Sequence, residues 1–464
     1  MLFSSVTFLY FFLFAVLAVY FIAPRRLKNA VLLLFSLFFY AYGEPRLVVL
    51  MLLSVLFGYV HGLLMGKFRN KPRAKKLCLI SSVCFSLAPL LIYKYTDFFI
   101  ANLNALGASL PLLKLTLPIG ISFYTFQIIS YTADVYRGDA APQKNPIDLA
   151  AYIALFPQLI AGPIVRYTDV AHDLAHRTHS VEKIGEGALR FSIGLGKKVL
   201  IANVLGELSA ALLTTEASIL GAWVRAAALM LQIYFDFSGY SDMAIGLGTM
   251  LGFRFPENFN YPFISQSATE FWRRWHMTLG SWFRDYVYIP LGGSRVSTAK
   301  HIRNIFAVWF LTGFWHGASW NFILWGLFFG VLLLAEKFLL KGFFDKLPRV
   351  LRHIYLLLAA AVSFLLFDAP DLASASERIL SLFGGAPLVS AEGLYQCKNY
   401  FTVLLIASIG ATPLPKRLTE RLFSTAAGKK AAVILVPLFM AALILVSTAY
   451  LVDGSFNPFL YFRF

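Results

Sequence analysis

The sequence predicts an all-α polytopic membrane protein with about 11–13 transmembrane or re-entrant helices. Three observations carry that prediction. Of 464 residues, 58% are hydrophobic and only 14% are charged, against about 25% charged in ordinary soluble proteins. Aromatic residues reach 16%, with 45 Phe, more apolar surface than a soluble core can hide. The apolar residues come in unbroken runs near the ~20 residues a helix needs to cross a bilayer, rather than the ~10-residue alternating segments of a membrane β-barrel.

The expected spans are 2–22, 29–43, 46–65, 77–94, 116–135, 188–211, 218–237, 303–317, 319–336, 354–368, 399–413 and 431–452. The first lacks a basic n-region and reads as a retained helix, not a cleaved signal peptide. The apolar segment 148–163 is short and ends in Gly162-Pro163. It reads as re-entrant, which is tolerated where protein or water satisfies the backbone. No repeat or soluble domain interrupts the chain, so residues 1–464 read as a single membrane domain.

The net charge of +17 does not point to nucleic acid. Lys and Arg sit in short loops between apolar runs, as the positive-inside rule requires. Those loops are Arg25 to Lys28, Lys67 to Lys76 with six Lys or Arg, Arg254 to Arg303, Lys337 to Arg352, and Lys416 to Lys430. All are cytoplasmic at once if the N-terminus is outside and twelve spans alternate. The C-terminus and the acidic loop Asp368 to Glu392 then lie outside. Cys78, Cys84 and Cys397 have neither metal nor disulfide spacing. No metal and no tightly bound cofactor are expected.

The segment 258–303 is too polar to span. It mixes aromatics with Arg273, Arg274, Arg284, Asp285, Arg295 and Arg303, and is expected at the cytoplasmic interface. A turn at Pro290-Leu291-Gly292-Gly293 follows.

Four constellations carry chemistry. The first is Thr312-Gly313-Phe314-Trp315-His316-Gly317, inside a stretch from Ile305 to Leu334 without Lys, Arg, Asp or Glu. A titratable ring at membrane depth is costly and is usually kept for function. A neutral His316 can take a proton from a hydroxyl as that hydroxyl attacks an acyl carbonyl. Gly313 and Gly317 are expected to leave room for a chain to approach, with Trp315 beside it on the wall. The second is Phe271-Trp272-Arg273-Arg274-Trp275-His276. If helical, it places His276 on one face with Trp272 and Arg273, with Arg273 and Arg274 available to phosphates of a donor. An interfacial anchor belt explains the same residues.

The third runs from Tyr234 to Asp242. At i,i+4 spacing Asp236 meets Tyr240 and Ser238 meets Asp242. The polar stripe so formed lines an interior path or locks helices together. The fourth pairs two interruptions, Pro118 to Gln127 and Pro157 to Pro163, both read as architectural. At the C-terminus, residues 455–464 form an aromatic tail whose Tyr461 either anchors at headgroups or offers a phenol to the site.

These motifs, in this order over nearly the whole chain, resemble the membrane-bound O-acyltransferase family in its bacterial alginate O-acetyltransferase-like branch. The most specific parts are Glu270 to His276 through Leu291-Gly292-Gly293, and Phe314-Trp315-His316-Gly317. The resemblance implies a helical fold that thins the membrane and encloses a tunnel. It makes His316 the family's intramembrane histidine and His276 its partner. It implies acetyl-CoA or another acyl thioester as a cytoplasmic co-substrate. The acceptor would be a polysaccharide such as an alginate-like polymer or peptidoglycan, reached through a separate extracytoplasmic SGNH-type transferase. The location would be a bacterial inner membrane, with the lipid bilayer as a partner. Tyr461 matches a tail tyrosine thought to carry the acyl group. D-alanyl transfer to teichoic-acid-type polymers is the alternative within the class. A secondary transporter using Asp236 and Asp242 as a proton relay is the alternative outside it.

Overall fold

A computed structural model describes residues 1–454, and these contain helices and no β-strand. Among the described residues, six helices are long and apolar enough to cross a membrane: Val48–Lys67 (α1), Pro72–Ala105 (α2), Ile219–Met250, Trp320–Leu339, Arg349–Asp368 and Ala426–Asp453. Two expected spans are shorter apolar helices, Phe8–Ile22 and Phe401–Gly410. The other four are helical but shorter, more polar or interrupted; 188–211, for example, is interrupted by a π-helical turn at Lys197–Asn203. The chain is a multi-pass membrane protein.

The described residues form two compact units. One comprises Met1–Phe191 and Ser241–Glu257, the other Ser192–Tyr240 and Asn258 onward. In the first unit, helix α3 (Ile121–Arg137) has 14 buried residues. Gly58 and Gly62 of α1 admit Ile128 and Tyr131 of α3 where a Cβ would collide. Gly120 opens α3 at φ +73°, and a side chain there would strike the Leu159 carbonyl. The two interruptions read from the sequence therefore meet: the start of α3 packs on the broken segment 146–159.

That segment divides into Pro146–Ala154 and Phe156–Leu159. Side chains satisfy its interrupted backbone. Phe156 N–H donates to Ser36 Oγ at 3.1 Å, and Gln158 Nε2 donates to the Tyr152 carbonyl at 2.7 Å. Irregular backbone is stable at membrane depth under that condition.

In the second unit, the polar stretch after Ile219–Met250 (α4) folds into short pieces, including Ala268–Trp272 (α5) and Met277–Phe283 (α6). A helical hairpin follows, Thr298–His316 (α7) and Trp320–Leu334 (α8). Gly313 and Gly317 face Phe322, and Gly326 faces the Trp309 carbonyl, each too closely for a Cβ. Small residues let these helices pack backbone to backbone. The room expected at Gly313 and Gly317 for a chain to approach is taken by α8. The hairpin holds His316 at the end of α7, and Arg349–Asp368 (α9) packs alongside α8.

Candidate active site

His316 is the last residue of α7 and is 4% exposed. Its Nδ1 lies 2.7 Å from the carbonyl oxygen of Thr312. A carbonyl only accepts, so Nδ1 carries a proton, and in the neutral ring Nε2 holds the lone pair. Aromatic rings enclose the imidazole: Trp325 at 4.8 Å between centroids, Trp315 at 5.0 Å and Phe367 at 5.7 Å, all close to perpendicular.

His276 belongs to the same unit and is 1% exposed. It is not helical. Helix α5 ends at Trp272, the chain turns, and His276 takes φ +42° and ψ +51° before α6. Trp272 and Arg273 therefore do not share a helical face with it, contrary to the sequence expectation. The left-handed backbone, uncommon outside glycine, turns the imidazole inward. Nδ1 lies 3.0 Å from Asn258 Oδ1, which also receives the Thr278 hydroxyl at 2.9 Å and the Thr278 N–H at 3.4 Å. The Thr278 N–H can only donate, so that Asn258 atom is the carbonyl oxygen and His276 Nδ1 is the donor. Nε2 of His276 keeps its lone pair, buried without a hydrogen-bond partner. Burial, and after it the charge His316 would carry if protonated, hold His276 well below the usual imidazole range.

Trp315 touches both rings, 5.0 Å from His316 and 6.2 Å from His276. Two buried imidazoles thus flank the Trp315 indole, and Phe237 covers His276 at 4.7 Å. Asn258, Trp325 and Phe367 were not legible as site residues. Asn258 is 18 residues from the ring it orients, with no periodic relation to it.

A pocket of about 690 Å³ lies in the same unit. Arg273, Lys337, Lys341, Arg352, His301 and Tyr288 line it, and Trp309 forms part of its wall. Its acidic residues are largely committed elsewhere. Glu336 accepts from the N–H groups of Ala268 (2.6 Å) and Thr269 (3.0 Å), the Thr269 hydroxyl (2.6 Å) and Tyr355 (3.2 Å), and so caps α5. Glu270 pairs with Arg274 at 3.0 Å. Arg273 is exposed to the pocket, whereas Arg274 is held by Glu270 and the Asn260 carbonyl. The two arginines read together from the sequence therefore separate: Arg273 can meet an anion and Arg274 braces the turn. From Trp309, rings lead inward through Trp272 (4.6 Å) and Trp325 (5.8 Å) to His316.

The two carboxylates of α4 are each held by a cation. Asp236 and Lys198, both almost fully buried, are 2.5 Å apart. Asp242, in the other unit, receives Arg190 through Nε at 3.0 Å and Nη2 at 2.9 Å, and Arg190 also grips Glu257. Both carboxylates are thus ion-paired, as the helix-locking reading of that segment expects. Tyr240 is buried. Tyr461 lies outside the described residues.

The sequence profile of the membrane-bound O-acyltransferase family matches residues 49–374. The chain belongs to that family. As a membrane-bound O-acyltransferase it is an acyl-transferring enzyme. It is 43% identical to the "Probable alginate O-acetylase" of Pseudomonas aeruginosa, over 82% of this chain and 75% of that protein. It is 34% identical to the peptidoglycan O-acetyltransferase of Helicobacter pylori, over 83% and 80%. The teichoic acid D-alanyltransferase of Bacillus subtilis is 32% identical over 48% and 60%. The matched region contains both histidines, Asn258 and the residues of the 690 Å³ pocket.

Proposed function

We propose that this O-acyltransferase moves an acetyl group from a cytoplasmic thioester across a bacterial inner membrane, for O-acetylation of a cell-surface polysaccharide. The observation that carries the chemistry is the pair of buried imidazoles, His316 and His276, joined by the Trp315 ring. The acceptor hydroxyl approaches His316. Its oxygen attacks the thioester carbonyl carbon, the carbonyl π pair moves to oxygen, and the hydroxyl proton passes to Nε2. The tetrahedral intermediate collapses, the C–S bond breaks, and the thiolate takes the proton back from His316. In this reading His276 Nε2 accepts an amide N–H of the donor's arm.

The donor is acetyl-CoA or another acyl thioester, its phosphates meeting Arg273, Lys341 and Arg352. Trp309 and His316 are seven residues apart on α7, roughly 10 Å of helix rise, a gap that a pantetheine arm spans. Segment 258–303 faces the cytoplasm in this reading. The acyl group leaves on the outer side, through Tyr461 as a relay, to an SGNH-type transferase that acetylates the polymer. Acetyl transfer is favoured over D-alanyl transfer because the O-acetylating relatives match over 80% of the chain, and the D-alanyl relative over less than half.

The test is His316→Ala in cells that acetylate the polymer, at matched membrane abundance. Polymer acetylation should fall by roughly 10²–10⁴-fold. Near-normal acetylation would overturn the assignment.

A further inference from the structure

His316 sits at the C-terminal end of α7, the negative pole of the helix dipole. That end suits a base which becomes an imidazolium. It is the wrong end for an oxyanion, which needs donors aimed at the developing charge. Acyl transfer at His316 therefore requires a hydrogen-bond donor from another element.

Trp325 of α8 carries a buried N–H on a ring beside His316. Its ring stands edge to face against His316, 4.8 Å between centroids at 68°. The side chain is 2% exposed, and its indole Nε1–H is buried without a hydrogen-bond partner. An indole nitrogen only donates, and a buried donor left unmet calls for an explanation. Phe367 at 5.0 Å, Trp272 at 5.8 Å and Phe329 at 5.6 Å hold the ring in place. Ring contacts run from Trp309, in the wall of the cationic pocket, through Trp272 to Trp325 and His316.

We propose that the indole N–H of Trp325 is the oxyanion donor of this enzyme. It hydrogen-bonds the acyl carbonyl oxygen and strengthens that bond as the oxygen gains charge. The N–H transfers no proton. The carbonyl π pair moves to oxygen as the acceptor oxygen–carbon bond forms, the hydroxyl proton goes to His316, and the pair returns as the C–S bond breaks. The inference rests on the acyl-transfer reading of His316, and adds a residue that touches the reacting oxygen.

The experiment compares full-length protein carrying Trp325→Phe with wild type and His316→Ala, at matched membrane abundance. Polymer acetylation in cells and acetyl-CoA turnover in membrane vesicles are both measured. Trp325→Phe should lose roughly 10²-fold or more in kcat, the usual effect of deleting one oxyanion donor. KM for acetyl-CoA should stay within about threefold, because the bond tightens in the transition state. A second replacement separates hydrogen bonding from packing. Benzothienylalanine at position 325 keeps the bicyclic shape and puts sulfur in place of the N–H. It should be as impaired as Phe, with wild-type thermal stability. Wild-type acetylation with the sulfur isostere would overturn the proposal whatever the Phe variant does. An active Trp325→Phe beside an inactive His316→Ala would discard Trp325 and leave the base assignment standing. An active His316→Ala would discard both.

Discussion

Nδ1 of His316 donates to the carbonyl oxygen of Thr312, one turn earlier in α7, at 2.7 Å. This bond fixes the tautomer and the ring plane together. Gly313 is part of the same turn, pressed against the Phe322 carbonyl of α8. A methyl group there must push backbone from backbone, because no flexible side chain can yield. Gly313→Ala should therefore displace the turn that orients the imidazole. A misplacement near 1 Å costs about 10²-fold in rate. The expected outcome is a lowered thermal midpoint and at least a tenfold loss of acyl transfer. Unchanged rate and stability would show that the hairpin tolerates separation at this level.

Asn258 plays the corresponding part for His276. Its Oδ1 collects the imidazole N–H and two donors from Thr278. Asn258→Ala should release the ring and lower acyl transfer by about tenfold or more. Burial keeps His276 well below its ordinary range, so the folded protein holds it neutral. The unfolded chain binds a proton near pH 6.5 while the folded chain does not, so His276 lowers stability as pH falls below that value. His276→Gln should lessen the loss of thermal midpoint between pH 7 and pH 5. An identical acid sensitivity in wild type and variant would remove His276 from that account.

Much of this was readable in the sequence because it depends on composition and local spacing. The apolar runs gave the membrane class, and Gly120, Pro157 and Gly162 marked the broken segments that the structure places against one another. His316 stood out because nothing near it in sequence was charged. What could not be read depends on contacts between distant residues. Asn258 to His276, Lys198 to Asp236 and Trp325 to His316 have no periodic signature. The condition under which His276 would share a helical face with Trp272 and Arg273 is not met, for a different reason. Residues 271–276 all tolerate a helix, but the capped start of α5 and the Asn258–Thr278 bonds fix a turn at His276 instead.

The adjacent arginines provide a sharp contrast. Arg273 faces the 690 Å³ pocket, while Arg274 is paired with Glu270. Arg273→Gln should raise KM for the thioester donor by several-fold at low salt with little change in kcat, the pattern of lost ground-state binding. Added salt should shrink the difference, since screening weakens the wild-type contact too. Arg274→Gln should alter neither constant appreciably, because partly exposed i,i+4 pairs contribute about 0–1 kcal/mol. Equal donor effects from both variants would return Arg274 to the donor site.

The buried pair of Lys198 and Asp236 separates the enzyme from the transporter reading. Both side chains are at most 3% exposed, and their charged atoms are 2.5 Å apart. Removing one partner leaves an uncompensated charge in the interior, which typically costs about 3–5 kcal/mol. Asp236→Asn alone should therefore lower the thermal midpoint and the membrane abundance of the protein sharply. Replacing both, as Lys198→Met with Asp236→Leu, removes the charge along with the desolvation it carries, a change that is often neutral or stabilising. The double variant should recover abundance and acyl transfer together. A proton relay predicts the opposite, because Met and Leu cannot carry a proton and activity would stay lost in a well-folded double variant. Asp242→Asn should be milder than Asp236→Asn, since Arg190 keeps Glu257 as a second carboxylate. Thermal unfolding in detergent, paired with polymer acetylation, resolves the two readings: stability and activity rising together mark a structural pair, and stability without activity marks a relay.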